Sequence, residues 1–559
     1  MKSLLYVFVF ALFFSCKAQT EYTAQVNQES KTATATDENS RPKLVVGIVV
    51  DQMRYDYLTR FYSKFGDGGF KKLINQGFNC KNNHYNYIPT YTGPGHTSVY
   101  TGTTPKYHGI IANNWYDKEI KEMVYCAGDD TESSVGTEAT AGQMSPRRMK
   151  TTTFADENRL FTQMRGKTIG ISMKDRGAIL PAGHTANAAY WFHGRDEGNW
   201  ITSTFYRSDL PKWVTNFNAS EAAESYLKPW NTLYDINTYT ESGADLNTFE
   251  GGFKGKETAT FPYDLKALSK DNRGFDILKA TAYGNALTAD FAIAALDGEQ
   301  LGQDAITDVL TVSFSSTDYV GHNFGVNSKE VQDTYLRLDK DLERLINALD
   351  AKVGKGEYTL FLTSDHGAVD VPSYLQSVHI PAGYFDSKDF RGKLNSFLSK
   401  KYGASDLIEN RSNNQIFLNR SRIALLGLDL EEVQEALVGE IITYKKIDKV
   451  YSATTMRTTD FTSGIEELLQ NGFNQKRSGD VLVVNDPAVI SYSKTGSTHG
   501  SGLNYDTHVP LLFYGKGINH GSTFKKTYIT DIAPTISALL GTSFPNGATG
   551  IPLEFVIEE

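Results

Sequence analysis

Three apolar runs in this chain end in the same way, and that recurrence limits the folds open to it. Leu44–Val50 is almost continuous Val and Ile and runs straight into Asp51. Ile306–Ser315 leads into Thr317-Asp318-Tyr319-Val320-Gly321-His322, and Tyr358–Thr363 leads into Ser364-Asp365-His366. Short runs rich in β-branched residues are the signature of strands buried on both faces, the pattern of parallel sheets. A further run, Lys167–Ser172, ends in Met173-Lys174-Asp175-Arg176, and another, Val509–Tyr514, follows a loop holding His499. Open α/β folds bind ligands outside the carboxyl ends of such strands. The expected fold is α/β, with a mostly parallel central sheet flanked by helices.

Helical patterns fill the spaces between these runs. Gly68–Gln76, Asp156–Arg165, Phe275–Leu296 and Ile529–Leu540 read as helices, and Val331, Tyr335, Leu338, Leu342, Leu345 and Leu349 mark one face of another. Two stretches lack the strand-then-acid pattern. Residues from about 190 to 274 are aromatic and rich in Gly and Asn, and residues from about 374 to 484 alternate short helical and strand patterns. Both read as inserted cap or lobe regions within a catalytic domain spanning 42–559, and such insertions shape access to a site more often than they do chemistry.

The ends and the composition set the surroundings. Lys2 followed by the apolar Leu4–Phe14 is a signal-peptide pattern, with residues 1–19 as the leader. Ser15-Cys16 fits a lipoprotein cleavage site, and ordinary cleavage near Ala18 is the alternative. The mature chain is therefore expected outside the cytoplasm, periplasmic or held at the outer membrane by an N-terminal lipid, with 20–41 as a polar tether. A net charge of −9 offers no electrostatic footprint for nucleic acid. The oligomeric state is open from the sequence, with a monomer favoured. Beyond the leader only Cys80 and Cys126 remain, a candidate disulfide or two buried thiols. Two Cys are too few for a thiolate metal site, so any metal must be held by His and carboxylate.

The candidate reactive groups lie at four of the strand ends and in the turns and loops near them. Thr92 precedes a Gly93-Pro94-Gly95 turn, and His96 through Tyr100 is placed to open a helix. A helix N-terminus suits an anion, and a threonine there is a nucleophile once a metal or base removes its proton. Asn113 is either an amide donor to a phosphoryl oxygen or a turn residue. Lys174 and Arg176 point to one face if the segment is extended. Asp318 and His322, four apart, meet on one helical turn and can share a metal. Asp51, Asp365, His366 and His499 complete the set, with His508 as the rival to His499.

In this order these residues resemble the alkaline phosphatase superfamily. The likeness is closest to its bacterial phosphate-irrepressible branch with a threonine nucleophile, akin to the nucleotide pyrophosphatase/phosphodiesterases. It runs from about Lys43 to Leu540, interrupted by the two inserted regions. The resemblance implies two zinc ions, one held by Asp318, His322 and His499, the other by Asp51, Asp365 and His366 with Thr92 coordinating. It implies attack by Thr92 on phosphorus, a phosphothreonine intermediate, and oxygens held near Thr92 and by Asn113. Four positive charges on the metals balance three Asp carboxylates and a Thr92 alkoxide. Lys174 and Arg176 remain, and they match a monoester dianion better than a diester monoanion. The implied activity is phosphate monoester hydrolysis, with nucleotide pyrophosphatase/phosphodiesterase as the alternative.

Overall fold

The computed structural model describes residues 41–558, so the leader, Cys16 and nearly all of the polar tether lie outside the described residues. The largest sheet among them has ten strands. In chain order they are β1 (Leu44–Val50), β2 (Phe78–His84), β3 (Ser134–Val135), β4 (Thr168–Ser172), β5 (Ala188–His193), β6 (Asn199–Ser203), β7 (Asp308–Phe314), β8 (Tyr358–Thr363), β9 (Leu511–Gly515) and β10 (Gly521–Tyr528). Across the sheet the order is β10-β2-β9-β8-β1-β7-β4-β5-β6-β3. The middle, β8-β1-β7-β4-β5, is parallel throughout, and β1, β4, β7 and β8 are buried along their whole length. Strand β9 runs antiparallel between β8 and β2, and β6 and β3 close the other side antiparallel.

Register decides where the chemistry lands. Val50 of β1 is level with Phe314 of β7, Val49 with Thr363 of β8, and Ser313 of β7 with Ser172 of β4. Parallel strands in step deliver their next residues to one edge. Asp51, Asp365, Lys174 and Asp318 all follow within a few residues of these matched positions.

The helices that matter for the site are α1 (Thr92–Thr101), α2 (Asp175–Ala182), α3 (Ala282–Gly298), α4 (Ser316–Phe324) and α5 (Lys329–Leu349). Helix α5 is capped by the Ser328 side chain and buries the six residues whose spacing marks its apolar face. Helix α1 begins at Thr92 rather than at His96. Gly93-Pro94-Gly95 forms its first turn, where a proline costs little because the early N–H groups have no intrahelical partner. Helix α2 begins at Asp175, so Lys174 and Arg176 do not alternate on an extended segment.

The inserted regions differ from each other. The segment from 190 begins inside the central sheet, because β5 and β6 extend it. The aromatic run Ala188–His193 reads as irregular by periodicity, yet it buries five of its six residues against β4. The later region carries its own antiparallel sheet of Ile408–Ser412, Gln415–Leu418, Val481–Asn485 and Ile447–Ser452, in that spatial order. Helices Ser387–Tyr402 and Leu430–Ile441 cover it over a separate apolar core. Cys80 and Cys126 are both free and fully buried in different clusters, so the candidate disulfide is not formed.

Candidate active site

At the carboxyl edge of β8-β1-β7-β4, two sets of ligand atoms lie within 4.8 Å of one another: Asp51, Asp365 and His366 form one, and Asp318, His366 and His499 the other. The first is the set inferred from sequence. The second has His366 where His322 was expected, but His322 is close by, with its Nε2 3.1 Å from Asp318 Oδ1. Asp318 and His322 are neighbours because α4 places them one turn apart. The rings of His366 and His499 stack at 3.4 Å, so the two sets share a wall.

Each histidine is oriented from behind. His322 Nδ1 donates to Ser497 O at 2.7 Å, His366 Nδ1 to Gly367 O at 2.9 Å, and His499 Nδ1 to Thr90 O at 2.7 Å. A carbonyl only accepts, so Nδ1 carries a proton and Nε2 is the ring atom turned toward the carboxylates, the orientation of a metal-ligating imidazole. Asp51 Oδ1, Asp365 Oδ2 and His366 Nε2 are buried with no hydrogen-bond partner. Such atoms are costly unless something binds them, and acceptors grouped this way fit a divalent cation.

Charge says the same. Three carboxylates share this pocket, and Lys174 is the ammonium among them, with Nζ 2.6 Å from Asp51 Oδ2 and 2.5 Å from Asp318 Oδ2. Burial pushes the Asp51 carboxyl up, and the nearby Asp318 and Asp365 push it further against the pull of Lys174. Burial also opposes ionisation of Asp318, but His322 and Lys174 outweigh it and hold that group well down. Lys174 thus meets two of the candidate ligand carboxylates directly, a contact that charge counting alone does not reveal.

Thr92 is buried at the first position of α1. Gly93 N–H donates to Asn113 Oδ1 at 2.7 Å. That bond fixes the amide so that Asn113 Nδ2 is left to donate elsewhere. Cys126 N–H bonds Asn113 O at 2.9 Å, and the adjoining Tyr125 takes a bond from Arg176 Nη1 at 3.1 Å. The antiparallel hairpin of Asn114–Asp117 and Glu122–Tyr125 therefore ties Arg176 to the Asn113 side. His508 belongs to neither ligand set; it stacks between Tyr55 and His84.

Two residues were missed by sequence. Gln52 sits in the left-handed region at φ 64°. Its backbone N–H reaches Asp365 Oδ1 at 3.1 Å and its side-chain Nε2 reaches Asp318 Oδ1 at 2.7 Å, so one residue bridges both ligand sets. His96, one turn along α1, bonds Thr92 O at 2.9 Å and Ser313 Oγ at 2.8 Å, and its Nδ1 is 3.4 Å from Asp365 Oδ2. Its i+4 spacing from Thr92 was the available signal, once α1 is known to start at Thr92.

Comparison with known proteins agrees with this geometry. The chain is 46% identical over 533 residues to a Myroides odoratus protein named calcium-transporting ATPase, covering 94% of this chain and 96% of that one. It is 46% identical over 529 residues to alkaline phosphatase PafA of Elizabethkingia meningoseptica, covering 94% and 96%. A crystal structure of wild-type PafA superposes with a TM-score of 0.89 over 93% of this chain and 99% of that one, at 46% identity. The family model described as type I phosphodiesterase / nucleotide pyrophosphatase matches residues 45–510. With its ligand sets, its buried threonine and that match over most of its length, the chain belongs to the type I phosphodiesterase / nucleotide pyrophosphatase family.

Proposed function

We propose that this protein is a metal-dependent alkaline phosphatase that hydrolyses phosphate monoesters through a phosphothreonine on Thr92. The observation that carries this is the pair of overlapping Asp/His ligand sets at the edge where α1 presents Thr92. A solved structure of a PafA variant, 45% identical to this chain, is substituted at a threonine and an asparagine spaced as Thr92 and Asn113 are, and at a lysine and an arginine spaced as Lys174 and Arg176 are. That supports assigning these four positions to the reaction.

Two divalent cations, zinc by the His and carboxylate donor set, would be held by Asp51, Asp365 and His366 with Thr92 and by Asp318, His322 and His499, and would lower the hydroxyl pKa and neutralise charge at the leaving oxygen. Thr92 Oγ attacks phosphorus in line, the ester P–O bond breaks, and the alcohol leaves protonated. Water then attacks the phosphothreonine, freeing Thr92 and inorganic phosphate. The N-terminal turn of α1 and Asn113 Nδ2 hold non-bridging oxygens. Arg176 pairs with the remaining negative charge of the dianion. Burial works against that guanidinium's charge, but Tyr125 and Asp175 beside it keep it firmly protonated. Lys174 screens the carboxylates from the entering dianion. The leader with Ser15-Cys16 supports an exported protein, soluble in the periplasm or lipid-anchored.

The family description favours a second reading, a phosphodiesterase with the same metals. One experiment separates the two: kcat/KM on matched aryl phosphate monoester and diester, with zinc and after chelation. The monoesterase gives a large monoester preference, lost on chelation and restored by zinc. A diester preference makes the protein a phosphodiesterase.

A further inference from the structure

Between the antiparallel lobe and the loop carrying His499 lies a cavity of about 170 Å³. On the core side it is lined by Pro89 and Tyr91, which lead into Thr92, and by Thr498 to Ser501 around His499. On the lobe side it is lined by the hairpin tip Asn413-Asn414 and by Asn485 and Asp486. The tip is fastened to the core beside the phosphoryl-binding residues, because Asn413 Nδ2 donates to Asn114 O at 2.7 Å. The cavity is therefore bounded by His499 itself and by Tyr91, the residue before Thr92.

Its chemistry is one-sided. No lysine or arginine lines it, whereas Asp448, Asp486 and Asp506 do. Two acceptors in its lining, Asn485 Oδ1 and Asp506 Oδ1, are buried with no hydrogen-bond partner. An unpaired buried acceptor calls for a donor. Ile88, Leu469 and Val489 supply apolar surface for a short carbon chain. The volume is below the roughly 300–1,000 Å³ of pockets that hold drug-sized ligands, so the guest is small.

We propose that this cavity receives the alcohol portion of the phosphate monoester, and that it selects small leaving groups bearing hydroxyl or ammonium donors over those bearing a second anionic group. The proposal rests on the monoesterase reading and adds to it a source of substrate preference. The phosphoryl group is read by residues common to any monoester. The cavity reads what is attached to it, with acceptors for donors and carboxylates against anions.

The test uses the zinc-loaded protein and four substrates: an aryl phosphate as reference, glycerol phosphate, phosphoethanolamine and phosphoglycolate. In the unmodified protein, kcat/KM for glycerol phosphate and phosphoethanolamine should exceed that for phosphoglycolate by about 10-fold or more, the size of effect charge juxtaposition gives. Asp486→Lys should shift the phosphoglycolate-to-phosphoethanolamine ratio of kcat/KM upward by about 10-fold. Asp448→Lys, at an exposed position, is the second variant and should move the ratio the same way. Ratios within twofold of the unmodified protein's in both variants, each still turning over the aryl phosphate, would overturn the cavity's role. Absence of aryl phosphate turnover in the unmodified protein would instead overturn the monoesterase reading, and the proposal with it.

Discussion

At the scale of single residues, the site depends on groups that touch the ligands rather than on the ligands alone. Gln52 holds a strained backbone in order to bond Asp365 and Asp318 at once. Such supporting bonds typically set metal affinity by about 10- to 100-fold, so Gln52→Ala should weaken zinc binding by that factor, read by chelator competition on the folded protein. An unchanged affinity would reduce Gln52 to a packing residue. Asn113→Ala removes the proposed donor to the phosphoryl group and should lower kcat by about 100-fold or more, measured on an aryl monoester. Thr92→Ala removes the proposed nucleophile and should cost at least about a thousandfold; near-normal turnover in that variant would sink the phosphothreonine route.

At the scale of elements, α4 and α5 are braced by the aromatic inserted segment. Gly251 N–H bonds Asn323 O at 2.8 Å and Asn323 Nδ2 bonds Gly252 O at 3.0 Å, which fastens the segment to the helix carrying Asp318 and His322. Next to this brace, the half-buried Glu250 and the fully buried Glu330 form a carboxyl pair, with Tyr263 donating to Glu330 at 2.5 Å. Burial, then the nearby Glu330 charge, pushes Glu250 up to about 9. Burial and neighbouring aspartates push Glu330 up to about 8. Both folded values lie above the ordinary carboxyl value of 4.5, so the native state holds protons that the unfolded chain releases. The pair's contribution is therefore full below about pH 4.5 and is lost as pH rises through 8 to 9. Glu330→Gln should flatten the fall of thermal stability between pH 5 and 9, an interval that follows from the linkage. An identical profile in the variant would place the pH dependence elsewhere.

At the scale of the whole molecule, a large parallel-centred sheet gathers three carboxylates and one ammonium into a buried edge. Fold and cation binding are then linked, since a cation that binds only the native state adds stability. Zinc at about 100 times its dissociation constant adds about 2.7 kcal/mol per site. Chelation should accordingly lower Tm by several degrees and zinc should restore it; a Tm indifferent to both would mean the ligand sets are satisfied without metal.

The sequence by itself determined four of the five strands of the parallel centre, β1, β4, β7 and β8, and the order of the candidate ligands. Continuous β-branched runs ending in acids are local patterns, and local patterns survive in a one-dimensional reading. It was silent where the pattern is polar or aromatic: Phe78–His84 is a central-sheet strand built of Asn, Lys and His, and Ala188–His193 is one built of Ala and aromatics. It did not show that β9 runs antiparallel to β8. Nor did it show Gln52 bridging Asp365 and Asp318, which lie 313 and 266 positions away. The same holds for Lys174 lying between Asp51 and Asp318 and for the cavity between the lobe and His499. Those contacts join residues hundreds of positions apart. Strand register and the docking of the lobe set them, and neither leaves a periodic trace along the chain.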